Sequence, residues 1–140
     1  MRTGLPPGYK SGSIQRIDLE SGAVKTLYTG AGEISLRGPN DLVFDDAGGF
    51  YFSDLGKMTA EQLDYGSVYW ARPDGTEIRR LASMLLTPNG IALSPDGRTL
   101  YVALTQTRQV LAYNIIAPGE LEMQNRRPRK RVLASLGGDL

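Results

Sequence analysis

Apolar residues in this chain fall in short runs, each closed by a turn signal, and two long stretches of that pattern are near copies. Arg37-Gly-Pro-Asn-Asp-Leu-Val-Phe-Asp-Asp-Ala-Gly-Gly-Phe-Tyr-Phe-Ser-Asp54 is echoed by Leu86-Thr-Pro-Asn-Gly-Ile-Ala-Leu-Ser-Pro-Asp-Gly-Arg-Thr-Leu-Tyr-Val102, which puts Asn40 and Asn89 49 residues apart. In both, a Pro-Asn pair leads into an apolar run, a turn of Asp, Gly or Pro, and a second run of aromatic and β-branched residues. That is how two consecutive antiparallel strands read. Gly12-Ser-Ile14 returns as Gly66-Ser-Val68, and Leu27, Leu81 and Leu133 follow one another at steps of 54 and 52. A period near 50 residues with four short strands per repeat predicts an all-β fold of propeller blades; helical and leucine-rich repeats run shorter or lack the β character.

The pattern divides the chain into a half blade over residues 12–29, a blade over 38–82 and a blade over 87–136. Ser13–Asp18 and Ala23–Thr29 fill the first. Asp41–Asp45, Phe50–Ser53, Ser67–Ala71 and Glu77–Ala82 fill the second, and Ile91–Ser94, Thr99–Leu104, Gln109–Asn114 and Arg131–Leu136 the third. Leu42, Phe44, Ile91 and Leu93 are expected on the innermost strands, partly covering one another. Thr59 and Gln62 have capping-box spacing, which predicts one helical turn over Ala60–Leu63 in the loop Lys57–Gly66; that loop reads as a surface insertion, with a partial lid as the alternative. Ala117-Pro-Gly119 opens a long connection, and the basic run Arg126–Arg131 reads as a solvated outer-edge loop that discourages edge-to-edge pairing, with a nucleic-acid or anion patch as the alternative. Blades are wedges that bury both faces around a ring of typically 4–8. Two and a half of them cannot close it, so the chain is expected to be a piece of a larger propeller or to self-associate through open blade faces.

Composition narrows the chemistry. Of 140 residues 41% are apolar and 22% charged, with a net charge of +1, which offers no field for nucleic acid or an acidic membrane. There is no cysteine and no histidine, so no Ser/His/Asp triad, Cys/His pair or His-ligated zinc site can be built from this chain; what remains is carboxylates, amides, hydroxyls or a hard metal. Met1 to Lys10 has no apolar core of signal-peptide type and no segment approaches membrane-spanning length, so the expected location is cytoplasmic.

In a blade, the start of the inner strand and the end of the second lie on one face. Asn40, Asn89 and Asp54 are therefore expected to converge there, two amide oxygens and a carboxylate, the oxygen-only donors that calcium or another hard cation takes. The alternative is that each Asn merely serves the turn before its strand through side-chain hydrogen bonds to backbone.

Gly38-Pro-Asn-Asp-Leu-Val-Phe-Asp45, Gly49-Phe-Tyr-Phe-Ser-Asp-Leu-Gly56 and Pro88-Asn-Gly-Ile-Ala-Leu-Ser-Pro-Asp-Gly-Arg-Thr-Leu-Tyr-Val102 resemble the gluconolactonase / senescence marker protein (regucalcin) family, and within it bacterial drug-responsive lactonases. Strictosidine-synthase-like propellers carry close variants of the Pro-Asn-Gly segment. The resemblance covers the middle of a family member and implies a six-bladed propeller, calcium-dependent lactone hydrolysis and a small-molecule lactone substrate. It implies that Asn89 matches an asparagine on the catalytic metal, that Asn40 matches one that binds metal or substrate, and that Asp54 matches an aspartate near the metal in the drug-responsive branch. Asp45 resembles a position near a second calcium, although an ordinary turn aspartate is the plainer reading. The family's metal-binding glutamate would precede this chain and its aspartate would follow Leu140; Glu33 is not a substitute for the former. A non-catalytic propeller segment that binds a ligand or partner is the competing reading, and a strictosidine-synthase-like propeller without the metal is a third.

Overall fold

Every regular element among the described residues is a β-strand, and every pairing is antiparallel. The computed structural model describes residues 7–59 and 61–137; most of the Met1–Lys10 segment, and Ala60 of the expected helical turn, lie outside them. No helix is long and apolar enough to cross a membrane among the described residues.

Strands β1 (Ile14–Ile17) and β2 (Val24–Tyr28) form a two-stranded sheet, and β3 (Gly30–Ala31) and β4 (Ile34–Ser35) a small hairpin after it. A four-stranded sheet follows in chain order, β5 (Pro39–Phe44), β6 (Phe50–Asp54), β7 (Gly66–Ala71) and β8 (Ile78–Leu85). Next come β9 (Pro88–Leu93), β10 (Thr99–Leu104) and β11 (Gln109–Ala117), with β12 (Glu120–Leu121) and β15 (Lys130–Ser135) both pairing with β11. Between the last two, β13 (Met123–Gln124) and β14 (Arg127–Pro128) make a hairpin whose turn residues Asn125 and Arg126 have φ of 52° and 62°. The long connection expected after Ala117 is thus two short hairpins. Their strands are two residues long, too brief for a hydrophobic period to register in the sequence.

The middle sheet is buried on both faces. In β6 and β7 alternate side chains point opposite ways. Phe50, Phe52, Tyr69 and Ala71 join Tyr28 and Leu36 in one core, whereas Tyr51, Val68 and Trp70 join Ile91, Leu100, Val102, Leu111 and Tyr113 in the other. Phe52 and Tyr69 stack at 5.0 Å between ring centroids. Tyrosine hydroxyls join the sheets at their rims: Tyr28 lies 2.6 Å from the Arg72 carbonyl and accepts the Glu77 N–H, and Tyr51 accepts the Gly119 N–H at 3.1 Å.

Two expectations are corrected. Thr59 and Glu61–Leu63 form no helix: Met58 bridges Leu63, and the Thr59 N–H donates to the Gln62 carbonyl, so Thr59 shapes a reverse turn while its hydroxyl still accepts the Gln62 N–H at 3.0 Å. Leu42 and Phe44 are 44% and 60% exposed, whereas Ile91 is 7% exposed. Leu42 and Phe44 lie on the face of β5 that holds their partners Phe52 and Phe50, and it is Val43, on the opposite face, that packs on the core containing Ile91.

Candidate functional site

β5 and β9 start on the proline of each Pro-Asn pair, the strand position where a missing N–H costs least. In the first sheet Pro39 pairs with Asp54 and Leu42 with Phe52; in the second Pro88 pairs with Leu104 and Ile91 with Val102. Three steps on the inner strand oppose two on its neighbour in both cases, so each inner strand carries a β-bulge at the same place, Asn40-Asp41 in one and Asn89-Gly90 in the other. A bulge adds a residue, bends the strand and re-aims its side chains, and bulges are over-represented beside active sites. The two asparagines thus lie inside the inner strands, not in turns before them. Neither side-chain amide has a hydrogen-bond partner among the described residues. Asn40 is exposed and lines a cleft of about 200 Å³ with Ser13, Gln15 and Phe52; Asn89 is half-buried.

Asp54 is 3% exposed. Its Oδ1 accepts the N–H groups of Gly38 and Gly56 at 2.7 and 3.0 Å, and its Oδ2 accepts that of Arg37 at 2.7 Å. The carboxylate thus holds the loop leading into β5 and the turn leaving β6. Of its roughly four lone-pair directions three are used and one, on Oδ2, is left. Its partner in the second repeat is Leu104, so the carboxylate belongs to the first sheet alone. Gly66 makes this crowding possible, since a Cβ there would lie 2.4 Å from both the Asp54 carbonyl oxygen and Pro88 Cδ.

The loop 57–66 is anchored next to these residues. Arg37 Nε donates to Asp64 Oδ2 at 3.0 Å, the Asp64 N–H donates to the Lys57 carbonyl, and Lys57 Nζ stands 4.9 Å over the Tyr9 ring. Tyr9 donates its hydroxyl to the Arg37 carbonyl. Burial pushes the Tyr9 hydroxyl above the usual phenol range, and the Arg37 charge partly offsets this.

Two residues that the sequence reading passed over bridge the bulges. The Ser53 hydroxyl donates to the Asn89 carbonyl and accepts the Asp41 N–H at 3.3 Å, while Asp41 Oδ2 accepts the Ile91 N–H at 3.0 Å. A signal was present: where the first repeat has Asp41 and Ser53, the second has Gly90 and Ala103.

Asp45 closes the β5–β6 turn, accepting the Ala47 and Gly49 N–H groups, and Trp70 Nε1 donates to its Oδ2 at 2.7 Å. Glu33 sits exposed in the turn between β3 and β4. No group of three acidic side chains that could hold a metal ion occurs among the described residues. A hard cation takes six to eight oxygens. The two free amides and the last lone pair of Asp54 suit such an ion in kind and fall short in number.

Comparison with known proteins agrees with this architecture. Residues 8–136 match the family model described as SMP-30/Gluconolactonase/LRE-like region. The chain is 38% identical over 71 residues to lactonase drp35 of Staphylococcus epidermidis, a match covering 51% of this chain and 21% of that protein, and 37% identical over the same length to lactonase drp35 of Staphylococcus aureus. A gluconolactonase structure from Xanthomonas campestris superposes with a TM-score of 0.69 at 31% identity, over 89% of this chain and 42% of that one. A putative gluconolactonase superposes with a TM-score of 0.65 at 26% identity, over 80% and 41%. The chain thus spans less than half the length of the solved relatives it matches. The fold is all-β and of propeller type, and the chain belongs to the SMP-30/gluconolactonase/LRE-like family.

Proposed function

We propose that this chain carries part of the active site of a metal-dependent lactonase, with a calcium ion held at Asn40, Asn89 and Asp54 and a small-molecule lactone as substrate. The observation that carries the proposal is the pair of unpartnered amides, each re-aimed by a bulge at the same register position of two adjoining sheets. An asparagine kept to shape its own turn would bond local backbone, and these two do not. A bound calcium ion would supply Lewis-acid polarisation of a carbonyl and a more acidic water. Asn40 and Asn89 would orient that ion with neutral oxygens, and Asn40 also faces the cleft where a substrate would lie. Asp54 would contribute its remaining lone pair while its other three bonds fix the loop. In the six-bladed reading, further ligands and the base that takes the water proton come from chain outside these residues.

Calorimetric calcium titration and lactone hydrolysis test this. Weak calcium binding is expected for the chain alone, because about three protein oxygens, one of them charged, leave water to fill the shell. Slow hydrolysis of gluconolactone or an aromatic lactone should rise when the absent blades are supplied in trans, and Asn89→Ala should abolish both. Full retention of binding and activity in Asn40→Ala, Asn89→Ala and Asp54→Ala would refute the assignment, and binding of a ligand without hydrolysis by the completed propeller would favour a non-catalytic role.

A further inference from the structure

The two bulges are tied to each other from one side only. Ser53 stands opposite the β5 bulge, where its hydroxyl accepts the orphan Asp41 N–H, and it reaches across to the carbonyl of Asn89. Asp41 is the second residue of that same bulge, and its carboxylate takes the N–H of Ile91, two residues past Asn89. Its Oδ1 meanwhile accepts the Leu42 N–H at 2.9 Å, which fixes the side chain against its own strand. Ser53 is fully buried, and no polar side-chain atom in the buried interior lacks a partner among the described residues.

The second repeat shows what these side chains are not needed for. Its bulge forms with Gly90 and Ala103 in the places of Asp41 and Ser53, and a Cβ on Gly90 would lie 3.8 Å from the Ala103 Cβ and 3.9 Å from Asp41 Oδ2. A bulge can therefore be made without a hydroxyl or a carboxylate. What Asp41 and Ser53 add is the connection between sheets, through the peptide groups on either side of Gly90.

We infer that Asp41 and Ser53 are positioning residues that set the separation and orientation of the Asn40 and Asn89 amides, acting as a clamp between neighbouring sheets. This rests on the proposed site above and assigns it a supporting shell. A partner that orients a metal ligand usually changes metal affinity by about 10–100-fold when removed. The geometry acts on both asparagines at once: Asp41 adjoins Asn40 in sequence, and Ser53 bonds the Asn89 peptide directly.

The test copies into the first repeat the residues that the second already uses. In the full chain, the double variant Asp41→Gly/Ser53→Ala is compared with wild type and with Asn89→Ala, using calcium calorimetry, thermal unfolding, hydrogen exchange of the Ile91 N–H and the side-chain amide resonances of Asn40 and Asn89. Calcium affinity should fall about 10–100-fold, the Ile91 N–H should exchange faster, and both amide resonances should shift, with a cooperative unfolding transition retained. Wild-type calcium affinity in the double variant, together with loss in Asn89→Ala, overturns the clamp and leaves the site standing. If wild type itself binds no calcium, the site reading fails and the clamp is judged on the resonances: unmoved Asn40 and Asn89 amides overturn it, and displaced ones uphold it. Should the double variant not fold, Ser53→Ala alone, which keeps the Asp41–Ile91 bond, is read in the same way with a smaller loss of affinity.

Discussion

Trp70 Nε1 donates a hydrogen bond to Asp45 Oδ2 at 2.7 Å, so the indole of β7 is pinned to the turn that joins β5 to β6. The ring is boxed by two backbones: a Cβ on Gly49 would come within 2.4 Å of it and one on Gly119, from the next sheet, within 2.7 Å. Arg72 and Arg79 place their guanidinium groups 5.5 and 5.4 Å from the ring centroid. Gly119 also has φ of 70° and donates its N–H to Tyr51. One glycine thus meets two demands, a left-handed backbone and a close approach to Trp70.

Gly119→Ala should accordingly destabilise the chain more than Gly97→Ala. Both have positive φ, 70° and 68°, and both variants lose about 1–2 kcal/mol to the left-handed conformation. Only Gly119 adds a clash, since nothing lies within 4 Å of a Cβ at Gly97. Overpacking adds roughly 1–3 kcal/mol. Urea denaturation of the two variants checks this; equal losses would mean that Trp70 moves aside freely.

Asp54→Ala should cost about 3 kcal/mol or more in unfolding free energy. The change leaves the Arg37, Gly38 and Gly56 N–H groups without their acceptor, and each buried donor left unmade costs about 1–3 kcal/mol. Leu104→Ala, at the same register position of the second sheet, should cost about 2–5 kcal/mol through lost apolar contact. An Asp54→Ala loss below about 1 kcal/mol in chemical denaturation would show that the loop finds other acceptors.

Stability should fall in alkali between pH 10 and 12. Burial pushes the Tyr113 hydroxyl from 10.0 up to about 12. The folded state then holds a proton that the unfolded state releases, so the contribution is complete below pH 10 and lost as pH rises through the folded value. The contribution is on the order of 2 kcal/mol. Burial also raises Tyr28, Tyr51 and Tyr69, so Tyr113→Phe should reduce the slope of stability against pH without abolishing it. Denaturation curves at pH 9, 10, 11 and 12 measure this.

Arg37→Ala should loosen the loop 57–66 with little effect on global stability. Arg37 is partly exposed, so its ion pair with Asp64 is worth about 0.2–1 kcal/mol after solvent screening. Limited proteolysis at Arg and Lys sites distinguishes local from global opening: cleavage after Lys57 should accelerate while the unfolding midpoint stays within a few degrees of wild type. Unchanged cleavage would place the anchor of the loop in its backbone bridge, Met58 to Leu63.

The repeat of Pro-Asn, apolar run and turn determined the strands and their order, because side-chain alternation and turn chemistry are local properties. Strand positions followed closely: Thr99–Leu104 stands as expected, and Phe50–Asp54 and Gly66–Ala71 each extend the expected strand by one residue. The absence of histidine and cysteine likewise fixed which chemistries this chain cannot perform. The tertiary structure decided what depends on residues far apart meeting. A bulge is a mismatch in count between two strands, and only the pairing of Pro39 with Asp54 and of Leu42 with Phe52 reveals it. Leu42 and Phe44 read as partly covered by Ile91 and Leu93 of the neighbouring inner strand, but burial depends on which face a neighbour meets, and it is Val43, on the opposite face of β5, that packs on the core with Ile91. Asp54 read as a ligand, and the fold surrounds it with three backbone N–H groups from residues up to 17 positions away. Asp41 and Ser53 stood in the sequence only as end residues of the expected strands Asp41–Asp45 and Phe50–Ser53; their reach to Ile91 and Asn89 exists only because the two sheets lie side by side.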